Sequence, residues 1–205
     1  MGLMNDSLFD RIISEVRECH RCEDCLPHQP RPVIRGLPSA RLLIVGQAPG
    51  LKVHETGLSF NDPSGDRLRA WLGINRDEFY DETRIALIPV GLCFPGRNAA
   101  GADLPPLRGC APFWHPRLLP FFPNVELTLL VGGYAQKFYL KEHCKSSLTD
   151  TVRAFKDYLP RFFPLPHPSW RNTGWLKRHP WFEAELLPEL REKTAFVRGA
   201  SLNQR

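Results

Sequence analysis

Four short stretches of this chain are almost continuously apolar, and segments with helical patterns separate them. The first, Leu42-Leu43-Ile44-Val45, sets four branched apolar residues in a row, as in a parallel strand covered on both faces. Further strands are predicted over Arg84 to Val90, Val125 to Val131 and Arg161 to Leu165. Near the start, Leu8, Ile12, Ile13 and Val16 recur at helical spacing behind Asp6 or Ser7, either of which can cap a helix. Asp62-Pro63-Ser64-Gly65 leads into a helix from Asp66 to Leu72, which Gly73 stops. Asn75 to Asp81, Tyr134 to Leu140 and Thr149 to Tyr158 read as further helices. Strands alternating with helices predict an α/β protein built on a doubly wound parallel sheet.

In such sheets ligands sit beyond the carboxyl ends of the strands. Two segments fall there: Gly46-Gln47-Ala48-Pro49-Gly50, directly after the first strand, and His167-Pro168-Ser169-Trp170-Arg171-Asn172, after the last. The first lacks the G-x-G-x-x-G spacing and the lysine of a nucleotide-phosphate loop, which argues against a Rossmann-type enzyme.

Composition narrows the class. With 205 residues and 42% hydrophobic content, the chain can bury one substantial core. We expect a single domain over residues 1–205, with the N-terminal helix and cysteine cluster (about residues 5–30) packed onto it. No run of eighteen apolar residues occurs, and the first residues lack the basic and apolar segments of a signal peptide. A cytoplasmic monomer without a membrane segment is expected. The net charge of +5 permits a polyanionic partner, and its distribution favours one. From Tyr158 to Phe182 there is no acidic residue, while Arg161, Arg171, Lys177 and Arg178 interleave with Trp170, Trp175, His179 and Trp181. Cations neutralise phosphates and flat side chains stack on bases, so this stretch points to nucleic acid.

The six cysteines are unevenly placed. Cys19, Cys22 and Cys25 form two overlapping CxxC pairs, Cys93 follows the second predicted strand, Cys110 ends a loop rich in Gly and Pro, and Cys144 lies in a polar connection. In a reducing compartment such clustering indicates a metal site, although Cys93 and Cys110 would also serve as small buried hydrophobes.

Together these residues resemble the uracil-DNA glycosylase superfamily, and within it the branch that carries an iron-sulfur cluster. In that branch a CxxC pair precedes a strand ending in a G-[EQ]-A-P-G loop. A Phe follows about ten residues later, two more cysteines come after the next strand, and an H-P-S motif closes the site. Here those elements are Cys19 and Cys22, Gly46 to Gly50, Phe60, Cys93 and Cys110, and His167 to Ser169. The resemblance implies a three-layer α/β/α fold around a mostly parallel four-stranded sheet. It implies that Cys19, Cys22, Cys93 and Cys110 bind a [4Fe-4S] cluster, leaving Cys25 and Cys144 free; on chemistry alone zinc suits four thiolates equally well.

The activity implied is excision of uracil, or a related deaminated base, flipped out of DNA. Phe60 would stack on that base, with Gly46, Ala48, Pro49, Gly50, Asn61 and Ser169 around it. His167 would donate to the base oxygen that gains charge, and Gln47 would position water. Trp170, Arg171 and Asn172 would hold the duplex. Two positions depart from the pattern. Gln47 is an amide where relatives often carry a carboxylate, and Pro89 stands where they carry a base-reading Asn. An amide is no general base and proline cannot read a base edge, so Asp62 or Glu55 is expected to supply the carboxylate, and Asn61 or Asp62 the recognition. The second hypothesis is a catalytically silent DNA-binding protein that keeps the cluster and groove.

Overall fold

The structure, a computed structural model, describes residues 2–198, with side chains described from residue 8 onward. Its centre is a sheet of four parallel strands, β1 (Leu42–Val45), β2 (Ile85–Leu87), β3 (Leu127–Val131) and β4 (Phe162–Leu165), in the order β2-β1-β3-β4. Alternation along each strand sends side chains to opposite faces, and both faces are buried. Leu42, Ile44, Leu127, Leu129 and Val131 enter one core cluster, whereas Leu43, Val45 and Leu130 enter a second. The fold is a three-layer α/β/α arrangement.

The helices divide between those two clusters. On one face α3 (Pro63–Leu72), α4 (Arg76–Tyr80), α7 (Leu148–Arg153) and α9 (Leu187–Lys193) supply Leu68, Leu72, Phe79, Val152 and Leu190. On the other, α1 (Gly2–Arg17), α5 (Cys110–Leu118) and α6 (Gly133–Leu140) supply Ile12, Val16, Trp114, Leu118 and Leu140. Two short helices, α2 (Leu51–Thr56) and α8 (Thr173–Arg178), follow the two candidate loops. No helix among the described residues is long and apolar enough to cross a membrane.

The expected helices largely form, with ends set by local chemistry. Asp62 caps α3, accepting from Gly65 N–H at 2.9 Å, and Gly73 closes that helix in the left-handed region. Asn75 and Glu78 form a reciprocal capping box around α4. Several boundaries differ. The first helix begins at Gly2, ahead of Asp6 and Ser7, whose side chains lie outside the described residues. The helix expected over Thr149 to Tyr158 divides into α7 and a 3-10 turn, Phe155–Tyr158. The second strand stops at Leu87 because Pro89 has no N–H, yet Ile88 and Val90 still donate to the carbonyls of Ile44 and Gly46 at 3.1 and 3.0 Å.

Candidate functional site

Gly46, Pro89 and His167 all lie beyond the carboxyl ends of the strands, and there a cavity of about 610 Å³ opens. Its lining includes Gly46, Gln47, Ala48, Pro49, Gly50, Phe60, Asp62, His167, Ser169, Trp170, Arg171 and Asn172, which are the sequence-derived candidates with two exceptions. Asn61 turns away and accepts from Arg76 Nη2 at 3.1 Å. Glu55 is exposed on α2 and does not line the cavity.

Phe60 is held in a costly backbone conformation, with φ at +55°. The surroundings enforce it. Buried Arg69 donates from Nη1 to the Phe60 carbonyl at 3.3 Å, and Tyr80 Oη donates to the Ser59 carbonyl at 2.8 Å. The Phe60 ring meets Phe79 edge-on at 5.9 Å and reaches back to the loop after β1, where a Cβ on Gly46 would stand 3.3 Å from its Cζ. A flat face is thereby fixed beside the glycine-lined loop.

His167 is equally constrained. Ser169 N–H donates to its Nδ1 at 3.2 Å, so in the neutral ring the proton sits on Nε2, which has no partner among the described residues. Burial lowers the pKa of His167, and the charges of Asp62 and Asp103 raise it in part. The dominant effect favours a neutral ring that offers one donor. Asn172 Nδ2 holds the His167 carbonyl at 2.7 Å, and Arg67 on α3 holds the Ser169 carbonyl at 2.9 Å.

Several residues that sequence reading passed over complete the site. A tight hairpin between Cys93 and Cys110 brings Arg97, Gly101, Asp103 and Leu104 onto the cavity wall. Arg97 Nε pairs with Asp103 Oδ1 at 3.1 Å, and Gln47 Nε2 donates to the Leu104 carbonyl at 3.3 Å. Behind the wall, buried His115 bonds the Pro89 carbonyl through Nε2 and Tyr139 Oη through Nδ1, at 3.0 and 2.6 Å. Asn98 and Gly101, which make the hairpin turn, were the available signal, masked by the Gly-Pro-rich composition of the whole connection.

The basic stretch divides in space. Trp170, 74% exposed, and Arg171 stand at the cavity mouth, the guanidinium 5.7 Å from the indole centroid. Arg161 sits at the opposite end of β4. Trp175 and Trp181 are partly buried and pack against the core, Trp175 stacking on His179 at 4.4 Å and donating from Nε1 to Thr149 Oγ1 at 2.8 Å.

Cys19, Cys22, Cys93 and Cys110 line a second cavity, of about 120 Å³, together with Arg21, Leu92 and Trp114; Cys25 and Cys144 do not. Backbone N–H groups of Arg31 and Leu92 donate to the sulfurs of Cys93 and Cys110. Burial pushes the Cys93 thiol up to about 12 and the Cys110 thiol up to about 11, with the neighbouring cysteines adding to both shifts. Among the described residues no three His, Cys, Asp or Glu side chains are placed to hold a single metal ion.

In comparison with protein families, the model of the Uracil DNA glycosylase superfamily matches residues 34–191. The chain belongs to that superfamily. The match spans all four strands, the glycine loop, Phe60, Cys93, Cys110 and His167, and starts beyond Cys19 and Cys22.

Proposed function

We propose that this superfamily member is a DNA glycosylase that flips out uracil, or a related deaminated base, and hydrolyses its N-glycosidic bond. One observation carries the reading: an oriented imidazole, His167, whose Nδ1 accepts from Ser169 N–H, shares a cavity with a rigidly presented aromatic face, Phe60. Phe60 stacks on the extruded base, and the narrow Gly46–Gly50 loop lets the backbone approach the nucleotide. As the C1′–N bond breaks, its electron pair moves onto the base. His167 Nε2–H then donates to the base oxygen where the charge collects, and a donor already held in place costs little reorganisation. Trp170 and Arg171, at the mouth, are suited to a wedge and a phosphate contact.

The same reading assigns a [4Fe-4S] cluster to Cys19, Cys22, Cys93 and Cys110. The donor set fits, being four cysteines around one cavity with N–H groups aimed at two of the sulfurs. Zinc would draw all four sulfurs to about 2.3 Å from one centre. Zinc is thus the alternative for the same four thiolates, and the metal content of the purified protein separates the two. When bound, the cluster would serve as a covalent cross-link between the segment after α1 and the loop carrying the Asp103 hairpin.

The test is single-turnover excision from duplexes containing uracil, hypoxanthine or xanthine, read by alkaline cleavage. Release of at least one base supports the proposal; tight DNA binding with no release would instead favour a catalytically silent binding protein.

A further inference from the structure

The loop after β1 offers Gln47 where water activation calls for a carboxylate, and an amide cannot take a proton at neutral pH. Two carboxylates line the cavity, Asp62 and Asp103. Asp62 is committed to the fold: its Oδ1 caps α3 through Gly65 N–H. Asp103 also has one oxygen bonded, and what sets it apart is that the other lies against the glycine loop. Its Oδ1 is paired with Arg97, while Oδ2 has no hydrogen-bond partner among the described residues and lies 3.3 Å from where a Cβ on Gly50 would be. The hairpin bearing it is stiff, with Asn98 Oδ1 accepting from Ala100 and Ala102 N–H at 3.1 and 2.9 Å. Gln47 itself ties that hairpin to the glycine loop, through the carbonyl of the residue next to Asp103. Arg97 on the same hairpin and His167 and Asp62 across the cavity are the charged or titratable groups facing Asp103, together with Arg171 at the mouth.

We propose that Asp103 is the catalytic carboxylate that this site uses to activate the attacking water, and that Gln47 orients the same water. The inference rests on the glycosylase reading. Gln47 Nε2 is taken by the Leu104 carbonyl, which leaves Oε1 as the acceptor it can offer to a water. A water giving one proton to Gln47 Oε1 and the other to Asp103 Oδ2 keeps a lone pair for C1′. In the reaction a bond forms between the water oxygen and C1′, and the C1′–N bond breaks with its electrons leaving on the base. The proton of the water passes to Asp103 Oδ2. Arg97 keeps the carboxylate aimed, so the loop between Cys93 and Cys110 carries chemistry as well as a fold.

The experiment compares single-turnover excision and DNA affinity for wild type, Asp103→Asn, Asp103→Ala and Asp62→Asn. Asp103→Asn, isosteric and in a solvent-exposed hairpin, should lose a hundredfold or more in rate, about the worth of one general base, with DNA affinity changed less than about threefold. Added formate should restore part of the rate to Asp103→Ala, which a purely structural residue would not show. Asp62→Asn keeps a capping oxygen and should lose less than Asp103→Asn. Asp103→Asn acting within about threefold of the wild-type rate, or Asp62→Asn being the more damaged, overturns the assignment. Wild-type protein that releases no base from any duplex overturns the glycosylase reading itself, and the Asp103 assignment falls with it.

Discussion

A Cβ placed on Gly65 would stand 1.7 Å from the carbonyl oxygen of Phe60. The third residue of α3 thus has no room for a side chain, because the Phe60 turn folds directly over the helix start that Asp62 caps. One glycine therefore couples the cap, the strained turn and the aromatic face. Gly65→Ala should destabilise the protein by about 1–3 kcal/mol in urea unfolding and displace Phe60. Gly174→Ala, with open space around it on α8, should instead be neutral or stabilising by up to about 1 kcal/mol. Equal stabilities for the two variants would remove the packing argument.

His167→Ala should lower single-turnover excision by about a hundred- to a thousandfold, with DNA affinity nearly unchanged, because a donor to developing charge acts mainly in the transition state. Gln47→Ala should cost less, since an acceptor that orients water is only part of the activation. A His167→Ala enzyme excising at the wild-type rate would sink the electrostatic role.

Burial lowers the pKa of His54, His115 and His167, so each takes up a proton on unfolding once pH drops below the ordinary histidine range. The sign follows: their contribution to stability is complete above about pH 6.5 and is lost as pH falls through their lower folded-state values. The urea midpoint should decline between about pH 6.5 and 5, before carboxylates titrate. A flat midpoint across that interval contradicts the burial of these rings.

If the cysteine cavity holds an iron-sulfur cluster, purified protein should be brown with broad absorption near roughly 400 nm. Cys93→Ser should bleach it and lower the melting temperature, since site assembly and folding are coupled. Cys25→Ser and Cys144→Ser, neither on the cavity, should keep the colour. Colourless protein with one zinc per chain would reverse the assignment.

Arg171→Ala should weaken DNA binding and reduce the salt dependence by about one counterion, as expected for one lost phosphate contact. Arg161→Ala, at the other end of β4, should leave that slope alone. The opposite result would move the DNA face away from the cavity.

The sequence by itself determined the strands, their parallel sense and the end of the sheet where chemistry collects. Unbroken apolar runs such as Leu42–Val45 need cover on both faces, and Asp62, Gly73 and Asn75 mark helix ends through bonds to residues within a few positions. Such signals are local, so one sequence exposes them. The tertiary structure alone decided which polar groups meet. Asn61 was drawn off by Arg76, fifteen positions away, while Asp103 arrived on a hairpin inside a connection whose Gly-Pro composition reads as mere punctuation. Trp175 and Trp181 pack, partly buried, against the core, although their basic neighbours suggest a nucleic-acid face. These outcomes depend on side chains distant in sequence competing for the same space and hydrogen bonds, and neither spacing nor composition records that competition.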